Sequence, residues 1–301
     1  LQEYLKSNKI DVIISTGPPH SMHLIAKKLC QKNNLKWIAD FRDPWTDLYY
    51  NKEFKQLSLA KNKNKKLETS VLINADCVLT VSNSLKKEFA KLAKRVEVIT
   101  NGFDDEVLTN NLINLDSKFS ISYIGLLPVQ SNPKLLFTVL NELCIENPDF
   151  KKDLNINFIG DISDVIKEDI ETNNLSENTN FIGYVSHEKA IDYQKKAQVL
   201  LLLIPNVEKS EGILTGKLFE YLTAKRPILA IGPENGDLSE ILKSTNAGVV
   251  VGFNNKEKLR IEIRTLYQQY KTGSLKVNSK NIEQFHRKEL TRSLSRILKS
   301  L

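Results

Sequence analysis

Apolar and polar positions alternate along this chain in a way that predicts strands and helices in turn. In the first third, short apolar runs predict strands at 11–16, 36–41, 77–82 and 96–100, and amphipathic segments predict helices at about 20–32, 52–73 and 84–93. Strands that alternate with helices form parallel sheets with crossover helices. The pattern therefore predicts an α/β fold.

A second series of the same kind follows a polar segment. Residues 103–118 show no strong period, and we place an interdomain linker at 105–118. Beyond it, strands are predicted at 119–125, 156–160, 181–185, 199–204, 227–232 and 248–251, with helices that start near Pro133 and span 162–174 and 187–197. The predicted domains are therefore 1–104 and 119–278.

The last segment, 279–301, predicts a separate amphipathic helix. An apolar stripe recurs at helical spacing and comprises Leu290, Leu294, Ile297, Leu298 and Leu301. Two placements are open for this helix. It either packs back on the first domain or caps the second.

The segment EGILTGKLFEYLTAKRPILAIGP, residues 211–233, carries the clearest chemistry. Thr215, Gly216 and Lys217 predict a turn into a helix N-terminus, where free N–H groups and a cation suit a diphosphate. Glu220, one turn later, can accept hydrogen bonds from a ribose. The segment is not a P-loop, because the spacing between its glycines is too short and Leu218 replaces the serine or threonine that binds magnesium.

Four stretches together resemble one enzyme family. They are DVIISTGPPHSMH from Asp11, WIADFRDPWTD from Trp37, VEVITNGFD from Val96, and GKLFEYL with RPILAI within residues 211–233. This set resembles the bacterial family 4 glycosyltransferases of GT-B fold, which build surface polysaccharides. The resemblance implies two Rossmann-like parallel-sheet domains facing a cleft, the first presenting the acceptor and the second binding the donor.

The resemblance also implies a reaction. A hexosyl group would pass, with retention, from a UDP- or GDP-sugar to a glycan or lipid-linked saccharide acceptor. No cofactor is expected, and no metal site is expected because no Asp-x-Asp pair lies in a suitable turn. The leaving diphosphate would be stabilised by charge. The resemblance also implies that the protein is cytoplasmic and can contact the inner, anionic face of the membrane.

Site residues carry over position by position. Glu220 would bind the ribose, Lys217 the phosphates, and His20, which directly follows a strand, the donor sugar across the cleft; a local helix-start role for His20 stays open. Glu211 is one position out of register with the family's first glutamate, and either it or Glu208 could reach the sugar hydroxyls.

Of two loops in the second domain, the one after Gly125 departs from the family pattern and the one at 183–185 follows it. After Gly125 the family carries an arginine for the diphosphate, which is absent here, and Ser131, Asn132 and Lys134 are the candidate replacements. The loop Gly183-Tyr184-Val185 would hold the nucleobase through backbone groups.

A polar and aromatic cluster ends the second strand. Arg42 is expected to pair with Asp40 or Asp43 in a structural ion pair, while Asp43 with Trp45 could instead line an acceptor pocket. His23, one turn after His20, is expected either to pack in the core or to support the site residues from behind.

Composition limits the remaining classes. The chain has 301 residues, 41% of them hydrophobic, which is enough for two domains with their own cores. Its net charge of +7 indicates either solvated helix surfaces or attraction to anionic donors or to an acidic membrane surface. The basic segments do not contain the interspersed aromatic residues on which bases would stack, so the sequence does not indicate nucleic-acid binding. Cys30, Cys77 and Cys144 are expected to be core residues in a reducing compartment. Because it starts at Leu1, the sequence is expected to be a fragment lacking its true start.

Three rivals stay open at this stage. A nucleotide-sugar 2-epimerase shares the two-domain fold, and a non-catalytic nucleotide or sugar binding module would suit the missing arginine. An NAD-dependent dehydrogenase is the weakest, because no GxGxxG follows a predicted strand.

Overall fold

A computed structural model describes residues 1–46, 57–105 and 114–301. These residues form two compact units, one comprising 1–101 with 287–301 and the other 102–286. Each unit is built on its own parallel β-sheet.

Ten strands are present in the described part of the chain, each at a predicted position. Those of the first unit are β1 Val12–Gly17, β2 Lys36–Phe41, β3 Cys77–Thr80 and β4 Val96–Val98. Those of the second are β5 Phe119–Ile124, β6 Leu154–Ile159, β7 Thr179–Gly183, β8 Val199–Leu203, β9 Ile228–Ile231 and β10 Gly248–Val251. Most are apolar runs rather than alternating ones, as expected for strands covered on both faces.

The helices agree less closely with the pattern. The first unit contains α1 Gln2–Ser7, α2 Ser21–Asn33, α3 Ser58–Asn74 and α4 Asn83–Phe89. The second contains α5 Lys134–Glu146, α6 Pro148–Asp153, α7 Asp164–Thr172, α8 His187–Lys196, α9 Gly216–Thr223, α10 Asp237–Thr245 and α11 Lys256–Lys271, and α12 Arg287–Lys299 returns to the first. The start of the helix predicted at 52–73 lies outside the described residues.

Short helices escape a period-based prediction because they are defined by their caps. Asn147 caps α6 by accepting hydrogen bonds from the N–H groups of Asp149 and Phe150, with Pro148 in the first turn. The helix predicted at 84–93 ends at Phe89 instead.

The first sheet has the order β1-β2-β3-β4, and both of its faces are covered. One face packs against α2 and α3 around Trp37 and Phe41. The other carries Ile38, Cys77 and Leu79, which pack against Ile297 of α12. The apolar stripe of the last helix therefore lies against the first sheet.

The second sheet has the order β10-β9-β8-β5-β6-β7. The chain proceeds from β5 outward to β7 and then returns to β8 on the other side of β5. Strand order thus reverses between β5 and β8, and ligands of open α/β sheets bind beside the carboxyl ends of strands at such a switch point.

The second unit begins earlier than the predicted linker. Phe103 belongs to a core cluster of this unit and its N–H donates to the carbonyl of Phe285 at 3.1 Å. Packing, rather than local composition, places the boundary at Gly102. Of the predicted linker, 106–113 lies outside the described residues.

The three cysteines are buried and free of disulfides. In the described ranges, no helix has both the length and the apolar character needed to span a membrane.

Candidate functional site

Three glycines lie at the carboxyl ends of three neighbouring strands of the second sheet, directly after β5 and β6 and as the last residue of β7. Gly125, Gly160 and Gly183 all have positive φ, at 114°, 123° and 74°. The first two are in close contact, because a Cβ at Gly160 would lie 2.7 Å from the carbonyl oxygen of Gly125. Their turns expose backbone where side chains would otherwise stand.

Lys217 occupies the space that Gly125 leaves open. A Cβ at Gly125 would lie 2.5 Å from the Cε of Lys217. The lysine Nζ donates to the hydroxyl of Tyr123 at 2.6 Å and to the carbonyl of Leu126 at 3.3 Å, and it lies 4.3 Å from the Tyr123 ring centroid. The cation is therefore held at the switch point by the end of β5.

Burial changes the acid–base properties of this pair. It lowers the pKa of Lys217 to about 8, an effect that the nearby Glu220 carboxylate opposes. Burial also raises the pKa of Tyr123 far above its usual value. The phenol therefore keeps its proton, accepts from Lys217 and donates to the carbonyl of Leu126 at 2.8 Å.

Helix α9 begins at this same edge. Thr215 is its N-cap residue, and the Thr215 side chain makes no cap hydrogen bond. Its Oγ1 is buried without a partner in the described part of the chain. Beside it, a Cβ at Gly216 would meet no atom within 4 Å. Among the described residues, no hydrogen bond uses the N–H groups of Gly216 and Lys217, whereas that of Leu218 donates to the carbonyl of Thr215. The helix start thus presents two N–H groups next to the Lys217 cation, as an anion site requires.

Glu220 lies one turn further along α9 and is half-buried. Its Oε2 accepts a hydrogen bond from Nε2 of Gln194 on α8 at 3.0 Å. Lys217 and Glu220 therefore share one helix face, with the carboxylate anchored from the side.

The residues expected to replace the missing arginine have another partner. Asn132 Nδ2 donates to Oδ2 of Asp169 on α7 at 2.6 Å, and Lys134 Nζ lies 3.5 Å from the same oxygen. Ser131 is buried. In this structure the Asp169 carboxylate engages both side chains.

The remaining predicted donor residues have simpler surroundings. Gly183 has no atom within 4 Å of the position of a Cβ, and Tyr184 is 87% exposed. Val185 packs at the edge of the apolar core. Glu211 lies in a 3₁₀ turn, Ser210–Gly212, with an exposed side chain, and its backbone carbonyl lies close to Gly236 at the start of α10.

In the first unit, His20 is buried at the start of α2. Its Nε2 lies 3.0 Å from the carbonyl oxygen of Asp43, and its ring stacks on Trp45 with centroids 5.3 Å apart. Because a carbonyl only accepts, Nε2 carries the proton. In the neutral ring Nδ1 is therefore the acceptor.

His23 is a core residue, as expected for a packing role. It is fully buried, stacks on Phe41 at 4.5 Å, and its Nδ1 lies 2.8 Å from the Ser15 hydroxyl, which also accepts from the indole of Trp37. Burial and the neighbouring His20 lower the pKa of His23 to about 4. Its ring is therefore neutral at physiological pH.

Arg42 pairs with Asp40, at 3.7 Å, rather than with Asp43. The guanidinium also donates to the carbonyl of Ile99 at 3.0 Å and to Oδ1 of Asn101. These bonds tie the end of β2 to the segment after β4, which is the structural role expected for Arg42.

The sequence profile of Glycosyltransferase Family 4 matches residues 1–107, and that of Glycosyl transferases group 1 matches residues 104–284. The chain belongs to the glycosyl transferases group 1 family. It is a glycosyltransferase, and its two parallel-sheet units have the GT-B fold. Against curated protein sequences, no match is found.

Solved structures share the fold of this glycosyltransferase at low sequence identity. Sucrose-phosphate synthase from Thermosynechococcus elongatus has a TM-score of 0.70 at 13% identity, covering 99% of this chain and 75% of its own. HepE from Anabaena, solved with UDP-glucose, has 0.68 at 13%, covering 97% and 79%. A putative UDP-N-acetylglucosamine 2-epimerase from Listeria monocytogenes has 0.59 at 12%, covering 98% and 76%.

Sequence reasoning missed three residues that contact predicted site residues, namely Lys217, Glu220 and Trp45. Tyr123 and Gln194 were hidden in an apolar strand and an ordinary amphipathic helix. Glu68, in a lysine-rich helix, is buried and accepts hydrogen bonds from the N–H groups of Trp45 and Thr46. The one sequence signal for Glu68 is its spacing of three and four residues from the apolar Val71 and Leu72, because its other neighbours have the composition of a solvated face.

Proposed function

We propose that this glycosyltransferase moves a sugar from a nucleotide diphosphate sugar to a glycan or lipid-linked saccharide acceptor. The observation that carries the proposal is the Lys217 ammonium, held against Gly125 at the switch point of the second sheet and beside the open N-terminus of α9. A diphosphate needs this combination of a cation and free N–H groups.

The other donor contacts follow from the same helix and sheet edge. Glu220 accepts hydrogen bonds from the ribose, and the backbone of Gly183 to Val185 holds the base. Glu211 contacts the sugar. Asn132 and Lys134, engaged by Asp169, are not assigned to the diphosphate.

In the proposed reaction, the bond between the anomeric carbon and the phosphate oxygen breaks while the acceptor hydroxyl attacks from the same face. The departing diphosphate gains negative charge, which the Lys217 ammonium and the α9 N–H groups stabilise. The acceptor proton leaves with the diphosphate, and the anomeric configuration is retained. No metal-bound step is part of this scheme.

A thermal-shift panel of UDP, GDP, ADP and their sugars tests donor binding. The sugar conjugate of the nucleotide that raises the unfolding temperature is then supplied as donor, together with oligosaccharide or polyprenyl-linked acceptors. NMR determines the anomeric configuration of the product. We expect nucleotide release only together with a retained glycoside.

The same assay separates the rivals. A 2-epimerase would convert the donor sugar without an acceptor. A binding module would show a higher unfolding temperature with the nucleotide but no turnover of the nucleotide sugar. Either result would contradict the proposal.

A further inference from the structure

A buried glutamine on α8 contacts the carboxylate proposed to bind the ribose. Gln194 is only 2% exposed, and its Nε2 donates to Oε2 of Glu220 at 3.0 Å. Its own Oε1 is buried without a hydrogen-bond partner among the described residues. A primary amide buried with one half unsatisfied opposes folding, so an apolar side chain would serve helix packing better here.

The hydrogen bond has a specific consequence for Glu220. The last torsion of a glutamate side chain is broad and roughly two-fold, so the plane of a carboxylate is poorly determined by the backbone. Anchoring Oε2 fixes that plane. No hydrogen bond to the other oxygen, Oε1, is made within the described ranges, and Oε1 is therefore available to a ligand hydroxyl.

The anchor also lies on an informative helix. Helix α8 starts directly after the loop 183–185, and Ser186 caps it by accepting from the N–H of Lys189. Gln194 lies two turns further along this helix. One rigid element thus links the loop proposed to hold the base with the carboxylate proposed to hold the ribose.

We propose that Gln194 is a positioning residue that orients the Glu220 carboxylate towards the ribose hydroxyls of the donor. The inference rests on the proposed function. A neutral amide suits the task, because it holds the carboxylate without cancelling its charge. The hydrogen bonds from Glu220 to the ribose then keep their charge-assisted strength.

Calorimetry with two probes, UDP and 2′,3′-dideoxy-UDP, tests the inference on the whole chain. We expect the unmodified protein to prefer UDP by about tenfold or more, because only UDP carries the ribose hydroxyls. Gln194→Met keeps the length of the side chain and removes the donor. It is expected to weaken UDP binding roughly three- to tenfold and to leave dideoxy-UDP binding within about twofold.

Gln198 offers a matched control. It is also buried in the second unit, and its amide bonds to the Asp116 carbonyl and to Arg226 instead of Glu220. Gln198→Met should lower the unfolding temperature and leave the preference for UDP unchanged. In addition, Gln194→Met combined with Glu220→Ala should bind UDP no more weakly than Glu220→Ala alone, since both changes remove one coupled contact.

The outcomes distinguish this inference from the function on which it rests. Equal loss of both probes in Gln194→Met, or no loss of either, would show that Gln194 only joins two helices. Additive losses in the double variant would overturn the inference in the same way. If the unmodified protein binds GDP or ADP instead of UDP, that nucleotide and its 2′,3′-dideoxy form replace the two probes. An unmodified protein that binds none of UDP, GDP and ADP would remove the proposed function and the inference with it.

Discussion

Lys217 shows how much of this site is decided at the scale of single residues. Its ammonium is held by one hydroxyl, one carbonyl and one aromatic face, and the absence of a side chain at Gly125 makes room for it. The same enclosure that positions the cation also makes it easier to deprotonate. Affinity for a diphosphate should therefore depend on pH.

The pH dependence has a defined sign. Because burial lowers the pKa of Lys217 from 10.5 to about 8, the free protein loses this charge as the pH rises through 8. A diphosphate binds the protonated form, so UDP affinity should fall by up to about tenfold per pH unit above pH 8, well above the pKa of about 6 at which the terminal phosphate of UDP titrates. Calorimetry between pH 6.5 and 9.5 measures this profile.

Two variants control for other titrating groups. Lys217→Arg keeps its charge over this range and should bind with a flat profile, and Lys217→Met should bind weakly at every pH. A fall above pH 8 that persists in Lys217→Met would assign the titration to another group.

Glu220 is expected to supply ribose affinity rather than stability. Its replacement, Glu220→Ala, should weaken nucleotide binding by roughly 1.5 to 3 kcal/mol through lost charge-assisted hydrogen bonds. The fold, checked by circular dichroism, should be retained. Unchanged affinity in calorimetry would remove Glu220 from the site.

At the scale of elements, α9 carries two site residues on a short helix of eight residues. Its inner face is fully buried through Leu218, Phe219 and Leu222, so packing rather than helix propensity holds it. The hydroxyl of Tyr221, on the same helix, accepts a hydrogen bond from the N–H of Ile124 at the end of β5. Helix and strand end are thereby held together where Lys217 and Gly125 meet.

The backbone is strained at Lys225, just after the end of α9, and a glycine there would relieve the strain. Lys225 follows the helix with φ of 54°, a left-handed conformation that costs roughly 1 to 2 kcal/mol for a residue with a Cβ. We expect Lys225→Gly to raise the free energy of unfolding by about 0.5 to 1 kcal/mol, after the entropy that glycine adds to the unfolded chain. Urea unfolding followed by circular dichroism measures it.

The control for this change is Lys225→Ala, which removes the charge and keeps the Cβ. It should bring no gain. Equal stabilisation by alanine and glycine would mean that the lysine charge, and not the backbone conformation, was the cost.

At the scale of the whole molecule, proposed functions are divided between two units. Lys217 and Glu220 lie in the unit 102–286, and His20 lies in the other. Nucleotide binding and sugar transfer should therefore respond to different substitutions.

His20→Ala is expected to lower transfer by roughly a hundredfold while hardly changing UDP affinity, as for loss of one positioned polar group. Initial transfer rates and calorimetry with UDP provide the two readouts. His20→Asn is the matched variant, because asparagine is a good helix N-cap. Full turnover in either variant would reduce His20 to a helix-start residue.

Transfer should proceed without a divalent ion. The proposed charge stabilisation comes from Lys217 and the start of α9, so rates should be unaffected by EDTA. Loss of activity in EDTA that manganese or magnesium restores would show that an ion shares this role.

Strand positions, the α/β class and the chemistry of the segment 211–233 could be predicted from the amino-acid sequence alone. Each of these depends on residues close in the chain: an apolar run such as 199–203, or the turn 215–217 that opens a helix. Local spacing suffices there, because the strand and helix periods act within a few residues.

The contacts between side chains that are distant in the sequence could be read only from the folded protein. Tyr123 and Lys217 are 94 positions apart, Gln194 and Glu220 are 26 apart, and Asn132 meets Asp169 across 37. Such pairs depend on strand order and on how helices pack, which periodicity does not encode. Burial also follows from that packing, and burial sets the pKa of Lys217 on which the proposed chemistry depends.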